Sequence, residues 1–477
     1  MDVLRKIKIE LWVLCLAGLI SLLLAIGTGI LVRQELVGST KLGIVSKTAL
    51  FLAEIPFNLK AIIRGSSFDL RAQEVQDIQE VQEVQEVQDI QEVQDIQEQR
   101  FPNVSGFQGE TLEEETYLLL AKYDADIKRS VVELIDLRSF EVKKTWRPDI
   151  DQINDLVDTS QPEFQYLERD RNATRYLMSH PFLTEDGGLI FQHESPLVKI
   201  DKNSQLVWQN QEDVFHHSLE QDHEGNFWVP TQVYPHQVDK KYVGSEFANY
   251  EDDAITKVSA DGEIIFQKSV SNILIENNLK SLLFQSGSAF FKDPIHINDI
   301  QPVLTDGPHW KRGDVFLSIR ERSMIILYRP SSNKIIWKGR GPLLSMQHDV
   351  DILDDHRISI FNNNSIAFFD RTEVDGNNEV VIYDFKTDLY SKYLDESLEQ
   401  YKVRTLSGGR SQILNNGDLF IEEENYGRLL YFNKDKSLQW QYVNRADDGN
   451  SYMLNWSRIL YKPEDIKKIN KILETGV

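Results

Sequence analysis

Gly188-Leu-Ile-Phe191, Leu197-Val-Lys-Ile-Asp201 and Leu206-Val-Trp208 recur in the same order as Gly417-Asp-Leu-Phe-Ile421, Leu429-Leu-Tyr-Phe-Asn433 and Leu438-Gln-Trp440. Each set reads as a strand opening at a turn glycine, a second apolar strand with a polar end, and a third strand closing on tryptophan. Short β-prone runs between Gly, Asp and Asn turns are a strand signature. Similar units run from Gly225 to Phe266, Gly313 to Trp337 and Ile358 to Tyr390, and an earlier one from Val131 closes on Trp146, making six. A unit of about 40–60 residues with about four strands cannot bury its faces alone, so such units stack around an axis. The expected fold class is all-β, a six-bladed β-propeller over residues 115–460.

What precedes the repeats is of another kind. Leu11 to Val32 is a run of 22 residues without a charge, long enough for a membrane crossing of roughly 20 helical residues. Arg5, Lys6 and Lys8 precede it and would hold the N-terminus in the cytoplasm. No small-residue cleavage site follows, which favours an uncleaved anchor over a signal peptide. From Gln73 to Ile96 a Gln-acidic-Val/Ile triplet repeats, with apolar residues every 3 positions. That period suits neither a helical face nor a coiled-coil seam, so the stretch is a spacer or an expanded repeat of no fixed structure. The expected layout is a cytoplasmic N-terminus (1–10), a transmembrane anchor (11–32), a juxtamembrane segment (33–72), an acidic spacer (73–99), the propeller, and a C-terminal tail (461–477). The propeller would lie on the periplasmic or extracytoplasmic side.

Composition narrows the chemistry by exclusion. The 477 residues hold 52 Lys+Arg against 75 Asp+Glu, a charge of −23, which argues against nucleic acid as a partner. Nine of the acids belong to the triplet spacer, leaving −14 for the rest. The single cysteine, Cys15, lies in the apolar run, so there is no CxxC zinc or redox site and no internal disulfide.

Histidines carry the positive signal. His180, His217 and His348 each stand eight residues before a turn, at Gly188, Gly225 and His356, and His296 heads a comparable run with a longer turn. In a propeller these positions open the innermost strands, so four imidazoles would converge at the channel mouth. Metal binding is one option, but no HExxH motif occurs, and strand alternation points Asp299 and Asp349 away from their histidine neighbours. Serine hydrolysis would want a GxSxG elbow, which is absent. Histidine as a nucleophile toward a phosphoryl-like group is the third option. Arg320, within the apolar run Val315 to Ile326, would supply a guanidinium whose planar fork suits a tetrahedral oxyanion; a structural pair with an acid is its alternative role.

The stretch Asp222 to Trp228 with His217, then His296-x-Asn298, Gly313-Asp-Val-Phe-Leu-Ser-x-Arg320, Asn333-Lys-Ile-Ile-Trp337, and Gln347-His348-Asp349 followed by Phe361-Asn-Asn363, resembles the arylsulfate sulfotransferase family over roughly 115–460. The resemblance implies a six-bladed propeller that moves a sulfuryl group from an aryl sulfate to a phenol by a ping-pong route through a sulfated histidine, with no nucleotide donor. Carried over, His348 would be the nucleophile, Arg320 and Asn298 would hold sulfonate oxygens, and His217 and His296 would complete oxygen binding and proton transfer. His180 and Asn363 are further candidate substrate contacts. No cofactor and no metal is expected, and no phosphate-cradling Gly-rich loop is present. His216 adjoins His217, and alternation would let only one face the channel. A non-catalytic membrane-anchored propeller that binds a ligand or protein, or a metal-dependent propeller enzyme, would instead leave the histidines dispersed or gathered on an ion.

Overall fold

The computed structural model describes residues 11–36, short pieces between 44 and 53, and 100–474 except 102, 161–163, 165–172, 194, 244–249, 285–291, 342 and 368–371. The triplet repeat lies outside the described residues. The chain divides into two compact units, Met1–Phe68 and Asp69–Val477. In the first, Leu11–Leu36 forms one α-helix. Only some of its side chains are described, and among the described residues no helix is long and apolar enough to cross a membrane. The anchor over 11–32 thus rests on its uncharged sequence alone.

Among the described residues the second unit holds six antiparallel sheets of four or five strands, the blades, and a separate two-stranded ribbon of Ser365–Ala367 and Thr372–Val374. Blade two is typical, with Ser179–Leu183 innermost, then Leu189–Gln192, Leu197–Ile200 and Leu206–Asn210 outermost. The innermost strands of blades three to six are Glu220–Gln221 (with Val214–Phe215), Ile297–Pro302, Val350–Ile352 and Arg410–Ile413. Blade one is stitched from both chain ends, because Arg458–Leu460 pairs with Tyr117–Leu119 ahead of Arg129–Asp136 and Glu141–Trp146.

Two boundaries differ from those expected. The blade unit starts before 115, since Gly106–Gly109 adds a fifth strand outside Leu438–Val443 of blade six. It also runs past 460: within the C-terminal tail, residues Pro463–Glu474 form a helix, and Ile469 and Ile472 sink into the core beside Trp146, Leu189 and Ile200. The Ile466, Ile469, Ile472, Leu473 spacing is an apolar helical face that the β-rich context obscured.

Continuous apolar runs become strands because both faces of each blade are covered. Tyr117, Leu119 and Ala121 pack in a core shared with blade two, whereas Leu118 and Leu120 between them pack against Phe420 and Leu429 of blade six. This is the period-two alternation of a strand buried on both sides. Aromatic residues ending the outer strands tie one blade to the next turn: Trp146 Nε1 donates to Gly187 O at 3.0 Å, and Trp208 Nε1 donates to Ala260 O at 3.1 Å. Trp146 is fully buried, so Trp146→Ala should cost about 3–5 kcal/mol, read as a lower urea midpoint; an unchanged midpoint would refute this packing role.

One backbone feature positions the site. Where the inner strands open, the chain turns left-handed at His180 (φ 51°), His217 (φ 55°), His296 (φ 49°), Met346 (φ 52°), Gly409 (φ 81°) and Trp456 (φ 65°). Non-glycine residues adopt this conformation at a cost of roughly 1–2 kcal/mol, and such strain gathers at functional sites. Each turn departs from the extended backbone on which strand alternation depends.

Candidate active site

The four histidines meet. The His217 ring centroid lies 6.2 Å from that of His180, 5.1 Å from His296 and 6.2 Å from His348. In blade one Trp456 opens the inner strand, and its ring tilts against His180 at 4.3 Å. His180 and His348 are buried. Burial, followed by Arg458, Arg410 and neighbouring histidines, holds His180 well below the usual imidazole range. Burial also leads for His217, with His216, His296, His180 and His348 adding to it. Both are therefore neutral rings near pH 7.

The protonation of His348 follows from its partners. Asn363 Nδ2 donates to Thr405 O at 3.2 Å and to Gly408 O at 2.9 Å, so its Oδ1 is the atom that faces His348 Nδ1 at 2.7 Å. That oxygen only accepts, which puts the ring proton on Nδ1. The lone pair is then on Nε2, where it receives the Gly408 N–H at 2.8 Å. Gly408 is left-handed at φ 63°, and a Cβ there would sit 2.5 Å from Glu424 Oε2, so only glycine brings its amide to this place.

His296 is held differently. Its Nδ1 lies 2.5 Å from Asp293 Oδ2, and its backbone N–H donates to Asp293 Oδ1 at 3.0 Å. A carboxylate behind an imidazole favours the charged ring, whereas the neutral amide behind His348 does not. The two rings are thereby suited to different work, one to proton transfer and one to attack. Neither Asp293 nor Gly408 was anticipated. An acid three residues before His296 was a visible signal; the amide of Gly408 was not, because backbone donors carry no residue signature.

The other expected residues are drawn into the same place. Arg320 is buried, its backbone N–H donates to His296 O at 3.0 Å, and its Nη1 is 3.5 Å from Glu321 Oε1. Asn298 is fully buried and donates through Nδ2 to Gln347 O, next to His348, at 3.3 Å, while its Oδ1 has no hydrogen-bond partner. His216 does not turn to the opposite side from His217 as strict alternation would have it, because His217 is left-handed. Their Nδ1 atoms lie 2.7 Å apart.

Asp299 and Asp349 do point elsewhere, as alternation requires. Asp299 accepts the Val350 N–H at 3.0 Å and Asp349 accepts the Ser411 N–H at 3.2 Å, each pinning one inner strand to the next blade. Burial and then Glu220 push the Asp299 carboxyl up to about 8. Burial and then Asp351 push Asp349 upward, with Arg410 opposing at 3.8 Å. Among the described residues, three ligating side chains come within 4.8 Å of one another only at Asp354, Asp355 and His356, at a blade-five turn, and not among the four histidines.

No curated protein matches the sequence significantly. Among solved structures, a protein of unknown function from Bacteroides caccae is similar at TM-score 0.41 and 11% identity, over 69% of this chain and 94% of that one. TolB from Acinetobacter baumannii gives TM-score 0.41 and 10% identity over 74% of this chain and 66% of that one. A streptogramin B lyase gives TM-score 0.36 and 10% identity over 76% and 94%. The sequence model described as Arylsulfotransferase (ASST) matches residues 180–445, from the opening of blade two to the end of blade six. That match spans more than half of the chain and takes in all four histidines, Asn298, Arg320 and Asn363, so the chain belongs to the arylsulfotransferase family.

Proposed function

We propose that the protein moves a sulfuryl group from an aryl sulfate to a phenol through a covalent intermediate on His348. The observation that carries this reading is the ring of His348: its proton is fixed on Nδ1 by Asn363, which leaves the lone pair on Nε2, and the His217 ring lies 6.2 Å away centroid to centroid. In the first half-reaction the Nε2 pair forms an N–S bond while the S–O(aryl) bond breaks, and the phenolate leaves with a proton from His296, backed by Asp293. In the second, an acceptor phenol loses its proton to a site imidazole, its oxygen bonds to sulfur, and the N–S pair returns to Nε2. Sulfuryl transfer, like phosphoryl transfer, has a loose transition state with charge on its outer oxygens. Arg320 and Asn298 are the side chains suited to hold those oxygens, and His180 and Asn363 close the pocket around the ring. The Gly408 N–H must release Nε2 for attack, and it can then turn to a sulfuryl oxygen as a further donor.

The test is direct. Brief exposure to 4-nitrophenyl sulfate should add one SO3 group, found by peptide mass spectrometry on His348 and discharged by added phenol. A modified residue other than His348 refutes the assignment. We further propose that residues 11–32 anchor the chain with its N-terminus in the cytoplasm and the propeller on the periplasmic or extracytoplasmic side. Protease added to intact cells with a permeable outer layer should then degrade the propeller, and protection would reject that topology.

A further inference from the structure

Behind His217 lies a second file of polar groups that the reaction outlined above does not use. His216 Nδ1 is 2.7 Å from His217 Nδ1, and on its other side His216 Nε2 lies 3.3 Å from Asp253 Oδ1. Asp253 is 1% exposed and is fixed by the Ile297 N–H, which donates to its Oδ2 at 2.8 Å. The order is thus carboxylate, imidazole, imidazole, site. The Asp253 contact is short but not aligned as a hydrogen bond, since His216 Nε2 has no hydrogen-bond partner. Contacts of this kind tighten when a charge develops on the ring.

The protons can be placed by elimination. A nitrogen lone pair aimed at a carboxylate oxygen at this distance is repelled, so His216 carries its proton on Nε2. Its Nδ1 is then an acceptor and receives the Nδ1–H of His217. The lone pair of His217 is left on Nε2, and the ring is neutral because it is buried among other imidazoles. A base of this description needs help when it takes a proton, since burial and four neighbouring histidines all oppose the positive charge. Asp253, reached through His216, is the negative group in line to offset it.

We propose that His216 and Asp253 are positioning residues that make His217 the general base toward the acceptor phenol. The inference rests on the sulfotransferase reading. In the discharge step the phenol O–H breaks and its proton goes to His217 Nε2. The phenol oxygen bonds to sulfur, and the S–N bond to His348 returns its pair to that ring. His217 Nδ1–H then leans its charge onto His216 and so toward Asp253. His296 with Asp293 would serve the departing phenolate, and the proton that His217 takes up in discharge passes back to His296, whose ring centroid lies 5.1 Å away, through solvent before the next turnover. The pair of histidines is possible only because His217 is left-handed, so both rings of adjacent residues turn to one side.

The experiment uses the full chain, charged with 4-nitrophenyl sulfate and then discharged by phenols of rising pKa. A general base matters more as the phenol becomes harder to deprotonate. His216→Phe should therefore slow discharge by on the order of tenfold to a hundredfold for the least acidic phenols and little for the most acidic, a part of the ~10²–10⁴ that general base catalysis supplies. His216→Asn, whose amide oxygen can stand where Nδ1 stood, should recover much of the loss. Asp253→Asn keeps an acceptor for Ile297 N–H but removes the charge. With His180, His216, His296 and His348 still facing His217, that change should lower the pH at which the discharge rate begins to rise, and lower its plateau. A loss equal for every phenol, or none at all, would overturn the relay. In either case the extent of sulfation of His348 in the wild type reports separately on the sulfotransferase reading, which fails only if that adduct is missing.

Discussion

His348→Ala is expected to abolish the covalent adduct and to reduce aryl sulfate-to-phenol transfer by on the order of 10⁴ or more, the range seen when a nucleophile is removed from a site whose other parts persist. The side chain is buried, and its two ring nitrogens meet Asn363 and the Gly408 N–H. Alanine leaves an imidazole-sized space lined by donors and acceptors already oriented for that ring. Free imidazole at millimolar concentrations should therefore restore part of the lost rate, and imidazole should not speed up the wild type. Rescue of this kind separates loss of the nucleophile from collapse of the site. Transfer by His348→Ala at the wild-type rate would remove the histidine from the mechanism altogether.

Arg320 should show the second largest effect. Arg320→Met is expected to lower the rate by about 10² to 10³, as removal of one oxyanion donor does elsewhere, with Arg320→Lys recovering only part because a point charge lacks the planar fork. The physical ground is the position of the guanidinium. It is buried in a one-turn 3-10 segment, Arg320–Arg322, after the buried strand Val315–Ile319, and its Nη1 lies 3.5 Å from Glu321 Oε1. Breaking a strong buried ion pair would destabilise the fold by several kcal/mol. Arg320→Met should lower the activity per folded molecule well beyond any shift of the unfolding midpoint. If stability falls and the activity per folded molecule survives, Arg320 is a structural residue.

Much of this was legible along the chain, for identifiable reasons. Strand runs such as Leu118 to Ala121 stand out because blades are covered on both faces, and each repeat closes on the same kind of turn. The four histidines were visible through their spacing from those turns. What could not be read depends on three-dimensional closure or on backbone atoms. Gly106–Gly109 is too short and too polar to announce itself as a strand, and it exists because Leu438–Val443 offers an open edge. Asp253 lies 37 positions after His216 in the next-but-one strand of blade three, so no local motif could couple them. The alternation rule failed at His216 and His217 because it presumes extended backbone, and His217 is not extended. The same failure explains why Trp456, which opens the last inner strand, went unnoticed among the histidine positions.

The stitching of blade one has a consequence for timing. The strand that completes the ring, Arg458–Leu460, is made after every histidine of the site has left the ribosome. Until it docks on Tyr117–Leu119, blade one lacks its innermost strand, and the Trp456 ring that backs His180 is not in place. A chain stopped between Arg410 and Trp456 would own all four histidines and yet lack the inner strand of blade one and the ring that backs His180. A truncation just before Trp456 should therefore keep every candidate reactive histidine and still lose the aromatic support behind His180, so possession of the residues and assembly of the site are separate things.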